Sequence, residues 1–207
     1  MSFNPSAKDD KTVQYELTPV GPTVARCVRV IEIGKQDSKY GVQERCVINF
    51  SLPFHFIKLG EEEKQKFISQ PFGINMSNNE GSTMAEYVKA LNPEAEDLGG
   101  FLDRTCQLNI VHYERRDGKG RGERIDSVTR LLPGIEVPEL DTEPFWFSWK
   151  DPDPQVWGKI PPFTKTLIQE AVNYPDSKVE AMVKQLEGGD IKGKETPALD
   201  NSDSLPF

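Results

Sequence analysis

The sequence predicts a mainly β chain: a five-stranded barrel with one helix between its third and fourth strands, followed by short C-terminal helices and a disordered tail. Three observations carry this expectation. Short runs rich in Val, Ile and Cys alternate apolar with polar residues and are bounded by Gly, Pro, Asn or Asp. A single stretch with helical spacing interrupts them. In the last third, prolines, an aromatic patch and acidic residues replace the alternation.

Residues 1–20 are polar and contain Pro5 and Pro19, which reads as a flexible N-terminal arm. Residues 23–33 are dense in Val and Ile and form the first strand, and the loop 34–41 turns the chain. Residues 43–52 form the second strand, with Cys46, Ile48 and Phe50 on one face and Arg45, Val47 and Asn49 on the other. Pro53 is expected to end it. Residues 54–70 read as an excursion, with the aromatic cluster Phe54, His55, Phe56 followed by an exposed helical turn over 61–66. A short third strand is expected within 71–77.

Ser82 is placed to cap a helix that runs to Leu91, with Met84, Tyr87, Val88 and Leu91 at helical spacing. Asn92 and Pro93 stop it. The fourth strand, 105–114, sets Cys106, Leu108, Ile110 and His112 against Gln107, Asn109, Val111 and Tyr113. A glycine-rich turn over 117–122 leads into a fifth strand at 123–131. Strand, strand, strand, helix, strand, strand is the order of an OB-fold barrel, here over 21–138. Residues 139–187 read as an extension with the patch Pro144-Phe-Trp-Phe-Ser-Trp149 and helices over 163–173 and 177–186. Residues 188–207 are the acidic tail.

The net charge of -8 is unevenly placed. Residues 1–135 hold 18 Lys and Arg against 19 Asp and Glu, whereas residues 136–207 hold 7 against 14. Between Arg104 and Arg130 the sign reverses, with seven basic residues against four acidic ones. A near-neutral core with a basic hairpin and an acidic tail is compatible with nucleic-acid binding. Cys27, Cys46 and Cys106 are widely spaced and odd in number, which fits buried thiols in a reducing compartment. No stretch has the length of a membrane span and the N-terminus lacks a secretory pattern, so a cytoplasmic location is expected.

Catalysis has no positive support. His55 and His112 sit among packing residues, no Cys or His pair has zinc-ligand spacing, and 118–122 lacks the phosphate-loop pattern. Neither cofactor nor metal is expected. Binding finds more. Lys35, Lys39 and Tyr40 lie in the loop joining the first two strands, and Arg115, Arg116, Lys119 and Arg121 in the loop joining the last two. In an OB-fold these loops flank the ligand groove, which crosses strands two and three. Lys and Arg neutralise phosphates, while any base can stack on a planar ring. Arg26, Arg29 and Arg45 add cations on the first two strands, and Phe54, Phe56 and Phe72 are candidate stacking rings. Trp146 and Trp149 are open to three roles: stacking on bases, covering the barrel, or forming a dimer interface.

The tail ends in Asp200-Asn-Ser-Asp-Ser-Leu-Pro-Phe207. Exposed Leu205 and Phe207 gain nothing from water, but a partner pocket can bury the ring and hold the terminal carboxylate. Pro206 limits the ordering entropy, and Asp200 and Asp203 attract a basic partner. This end resembles the acidic tails of bacterial single-stranded DNA-binding proteins. The core also resembles bacteriophage single-stranded DNA-binding proteins in residues 21–34, in Ile48-Asn-Phe-Ser-Leu-Pro53, in Cys106-Gln-Leu-Asn-Ile-Val-His112, and in 125–128 leading into 132–135. The resemblance implies an OB-type barrel, sequence-tolerant binding of single strands, service in replication, recombination or repair, and Arg26 and Arg29 as groove residues. It implies host or phage replication and recombination proteins as partners of the tail. Two other readings stand beside it: an OB-like structural or adaptor protein, and a nuclease or strand-annealing protein using carboxylates such as Asp103 and Asp126.

Overall fold

A computed structural model describes residues 16–59, 62–70, 72–115, 118 and 120–188. The chain is mainly β. Strands β1 (Gly21–Gln36), β2 (Gln43–Leu59), β3 (Glu62–Ser69), β4 (Ile74–Asn75), β5 (Thr105–Glu114), β6 (Arg121–Arg130) and β7 (Phe145–Phe147) form one sheet. Helix α1 (Thr83–Leu91) precedes β5, and α2 (Pro154–Lys159), α3 (Pro162–Gln169) and α4 (Lys178–Gly188) follow β7.

The main path of the sheet runs β3-β2-β1-β5-β6, with every neighbouring pair antiparallel. β4 adds to β2, and β7 lies parallel to β1. The sheet is not closed by a ladder between β3 and β6. Side chains span that seam: Lys66 Nζ lies 2.8 Å from Glu123 Oε1, and Gln70 Nε2 donates to the Ile125 carbonyl.

β5 and α1 form where periodicity places them. Cys106, Leu108 and Ile110 alternate into the core, and the Ser82 hydroxyl caps α1 by accepting from Ala85 N. Four expectations need correction. Pro53 does not end the second strand: β2 continues to Leu59 by bulging between Leu52 and Phe56, which releases the proline from the ladder. From Glu62 on, the expected helical turn over 61–66 is instead strand β3, paired to β2 from Glu62↔Leu59 to Ser69↔Asn49. The third strand is therefore this hairpin, and 71–77 supplies only two-residue β4. Residues 16–20, expected in the arm, are held at the seam. Thr18 is buried, its N–H donates to Glu123 Oε2, and its carbonyl accepts from His112 Nε2.

Two cores meet at β1. On one side Cys27, Val30, Cys46, Ile48, Phe50 and Leu108 pack with α1. On the other, Ile31, Ile33 and Val47 pack with β7 and the last three helices. Register shifts between Cys27 and Arg29, and between Glu32 and Gly34, let one strand serve both. All three cysteines are free and buried. Burial pushes the Cys46 and Cys106 thiols up to about 12 and raises Cys27 well above its ordinary value, with the other two thiols adding to that rise.

Candidate nucleic-acid interface

The C-terminal extension packs over β1 and β2, and contacts within the protein engage the strand cations. Arg29 is buried between the rings of Phe67 and Phe145, with its guanidinium carbon 5.2 and 5.7 Å from their centroids. Arg26 pairs with Asp103 at 2.8 Å and donates to the carbonyls of Val137 and Pro138. Arg45 donates to the Gly73 carbonyl at 2.6 Å. These three arginines, read as groove cations, tie protein segments together. Gln65 extends the same seam, donating to the Glu139 carbonyl while accepting from the Ser51 hydroxyl. A groove across the middle of β2 and β3 is thus covered.

Trp146 and Trp149 are partly buried and pack against the two cores. Glu32, itself nine-tenths buried, accepts from Trp146 Nε1 at 3.1 Å and from the Trp149 backbone N–H at 2.8 Å. Gly34 has φ +74°, and a Cβ there would lie 2.5 Å from the Trp149 ring. Its missing side chain is what lets that indole lie on the strand. Glu32 was not foreseen; the signal was a lone carboxylate in the apolar run 28–33.

The remaining candidates divide between the two ends of β1. At its C-terminal end, Tyr40 is 76% exposed with Lys39 Nζ 4.8 Å from its ring centroid, and Lys35 is exposed beside them in sequence. Phe72 is exposed nearby, edge-on to Phe163 of α3 at 6.1 Å. α3 is joined to this end by Gln36 Nε2, which donates to the Leu167 carbonyl.

At the N-terminal end of β1 two hairpins project together. Register fixes this: Gly21 pairs with Ile110, so β5 runs on past the start of β1, and β2 runs on past the Arg26↔Ser51 pair. The Lys66–Glu123 bridge joins the two hairpins at their base. One brings Phe54 and Phe56, each about half exposed, at 51% and 50%, with Lys58 exposed on the same alternation. His55 points the other way, its Nε2 2.9 Å from Thr23 Oγ1. Burial lowers the His55 pKa; Lys66 lowers it further and Glu123 opposes them. The other hairpin brings Arg115 and Arg121 around its tip, with exposed Arg124 and half-exposed Tyr113 behind them. Arg121 pairs with Glu114 at 2.9 Å in solvent, a contact that water and salt weaken. Tyr113 lies over Gly122, where a Cβ would meet the ring at 2.6 Å. Lys58, Tyr113, Arg124 and Phe163 were missed by sequence reasoning, which had no hairpin on which to place the first.

The structure therefore separates the two basic loops that sequence reasoning set on either side of one groove. Arg116, Lys119 and the tail residues Asp200, Asp203, Leu205, Pro206 and Phe207 lie outside the described residues. Asp103 is held by Arg26, and Asp126 accepts from Asn109 Nδ2 at 3.3 Å. Among the described residues no group of three or more His, Cys, Asp or Glu is arranged to hold a metal ion, and no helix is long and apolar enough to cross a membrane. No protein-family model matches the chain, and a search of curated proteins finds no match.

Proposed function

We propose that this chain is a sequence-tolerant single-stranded DNA-binding protein built on an OB-type core. It coats unpaired DNA in phage replication, recombination or repair within the host cytoplasm and recruits partner proteins through its C-terminal tail. The strand order and the helix before β5 support the OB-type reading, with the seam between β3 and β6 bridged by side chains instead of a ladder.

One observation carries the binding reading: two hairpins project from the same end of the sheet, one bearing rings and the other bearing cations. A Phe that is half exposed on a strand contributes little to the core, and Phe54 and Phe56 occur together with Lys58. Bases stack on such rings without being identified, and the neighbouring arginines neutralise phosphates. Binding single strands and not duplex then stabilises melted DNA by mass action.

The test is anisotropy of a labelled oligo-dT against a labelled duplex of equal length, at two salt concentrations. Tryptophan emission is a poor reporter, because Trp146 and Trp149 are fixed at Glu32, away from both hairpins. Preferential single-strand binding that weakens with salt supports the proposal. Equal affinity for duplex removes the single-strand preference, and no binding at low salt removes the proposal in favour of an adaptor.

A further inference from the structure

A cavity of about 630 Å³ opens between α1, the 3-10 turn Leu98–Phe101 and the segment around β7. Its walls are apolar, with Met76, Met84, Val88 and Leu98 facing the indoles of Trp146 and Trp149. Its charge is one-sided: Glu32, Glu44, Glu96 and Asp97 line it against the single cation Lys150. The Trp146 indole is fixed in advance by the buried Glu32 carboxylate, which also accepts from the Trp149 backbone N–H. Two glycines clear space for the two indoles: a Cβ on Gly34 would strike Trp149 at 2.5 Å, and one on Gly99 would strike Trp146 at 2.7 Å. Walls ordered before binding lower the entropy lost when a ligand enters.

Phosphate is the wrong ligand for these carboxylates, so the cavity is separate from the proposed DNA path. An apolar chamber with indole walls and a carboxylate rim suits a cation on an apolar stem. The volume exceeds one side chain, and Glu44, Glu96 and Asp97 on the rim are exposed to an incoming backbone. We infer that this cavity docks a short segment of a partner protein, in which an arginine or lysine flanked by apolar residues enters between α1 and Trp146. The contact is made by the folded core and is independent of the C-terminal tail and of DNA binding.

The test probes the full chain with an array of capped hexapeptides, each carrying one Arg or Lys among Leu, Ile, Phe and Met. A matched array has Glu in place of the cation. Calorimetry follows on the strongest peptide. The expected result is saturable binding of cationic peptides only, weakened about tenfold by Glu44→Gln with Glu96→Gln and weakened further by Val88→Trp, which puts an indole in the path between α1 and Trp146. Oligo-dT affinity should be unchanged in the carboxylate double variant. The carboxylate variant keeps the test decisive if Val88→Trp fails to fold. The inference is overturned by no binding to the cationic array, by equal binding of the Glu array, or by affinity indifferent to the rim carboxylates. Equal affinity for free arginine amide overturns the peptide occupant and leaves a small-amine site.

Discussion

β1 and β5 lie side by side in one sheet, yet they are buried in different ways. Residues 27–34 of β1 are buried without a break, while β5 alternates buried with partly exposed positions along most of its length. The difference is the C-terminal extension, which lies over β1 and β2 and leaves β5, β6 and the far half of the β2–β3 hairpin open. An arginine therefore means different things in the two regions. Under the extension Arg29 is held between Phe67 and Phe145, and Arg26 joins Asp103 to the carbonyls of Val137 and Pro138 just before it. On the open hairpins, Arg121 and Arg124 face solvent. Position in the fold, more than residue type, selects the cations that can meet a ligand.

The sharpest way to break this contrast is to damage the cover. Phe147 is fully buried with its ring centroid 5.8 Å from that of Trp157, and Phe147→Ala should cost about 3–5 kcal/mol in urea unfolding. Oligo-dT affinity measured on the folded fraction should stay within about twofold, because stacking and phosphate contacts lie elsewhere. On the open side the effects exchange places. Phe54→Ala with Phe56→Ala should lose about 2–4 kcal/mol of oligo-dT binding by anisotropy, while unfolding free energy changes by under about 1 kcal/mol. Unchanged binding would move the stacking site away from this hairpin.

Smaller effects sharpen the same division. Arg115→Ala with Arg121→Ala should lower the slope of log affinity against log salt by about 1–2, whereas Arg26→Ala should lower stability and leave the slope alone. Acid should act at the base of the hairpins. His55 has a pKa below its ordinary 6.5, so the unfolded chain binds this proton more readily than the folded one. The stability it contributes is present above 6.5 and is lost as pH falls toward the folded value. Melting temperature should drop between pH 7 and pH 5, and His55→Gln should shrink that drop.

Much of the sheet could be read from local pattern, because local pattern determines it. β5 and the Ser82 cap depend on residues two to four apart. The β2–β3 hairpin could not be read this way. Pro53 signals a stop and Glu61-Glu-Glu-Lys signals an exposed helical turn, but a bulge absorbs the proline and pairing to β2 overrides the propensity. Lys66 looks like a surface charge, yet it is buried against Glu123, 57 positions along the chain. For the site, the aromatic and cationic residue types were visible, but their grouping was not. The cover over β1 depends on a parallel pairing with β7 that no local signal announces. The unbroken apolar run of β1 was the one available hint, since strands buried on both faces lose their alternation.

On this reading a single strand binds the two open hairpins and avoids the covered face. Hydrogen exchange read by mass spectrometry, with and without saturating oligo-dT, tests it directly. New protection is expected in peptides spanning 53–66 and 111–124, and none in those spanning 145–183. Protection concentrated in 145–183 would contradict it and return the binding face to the extension.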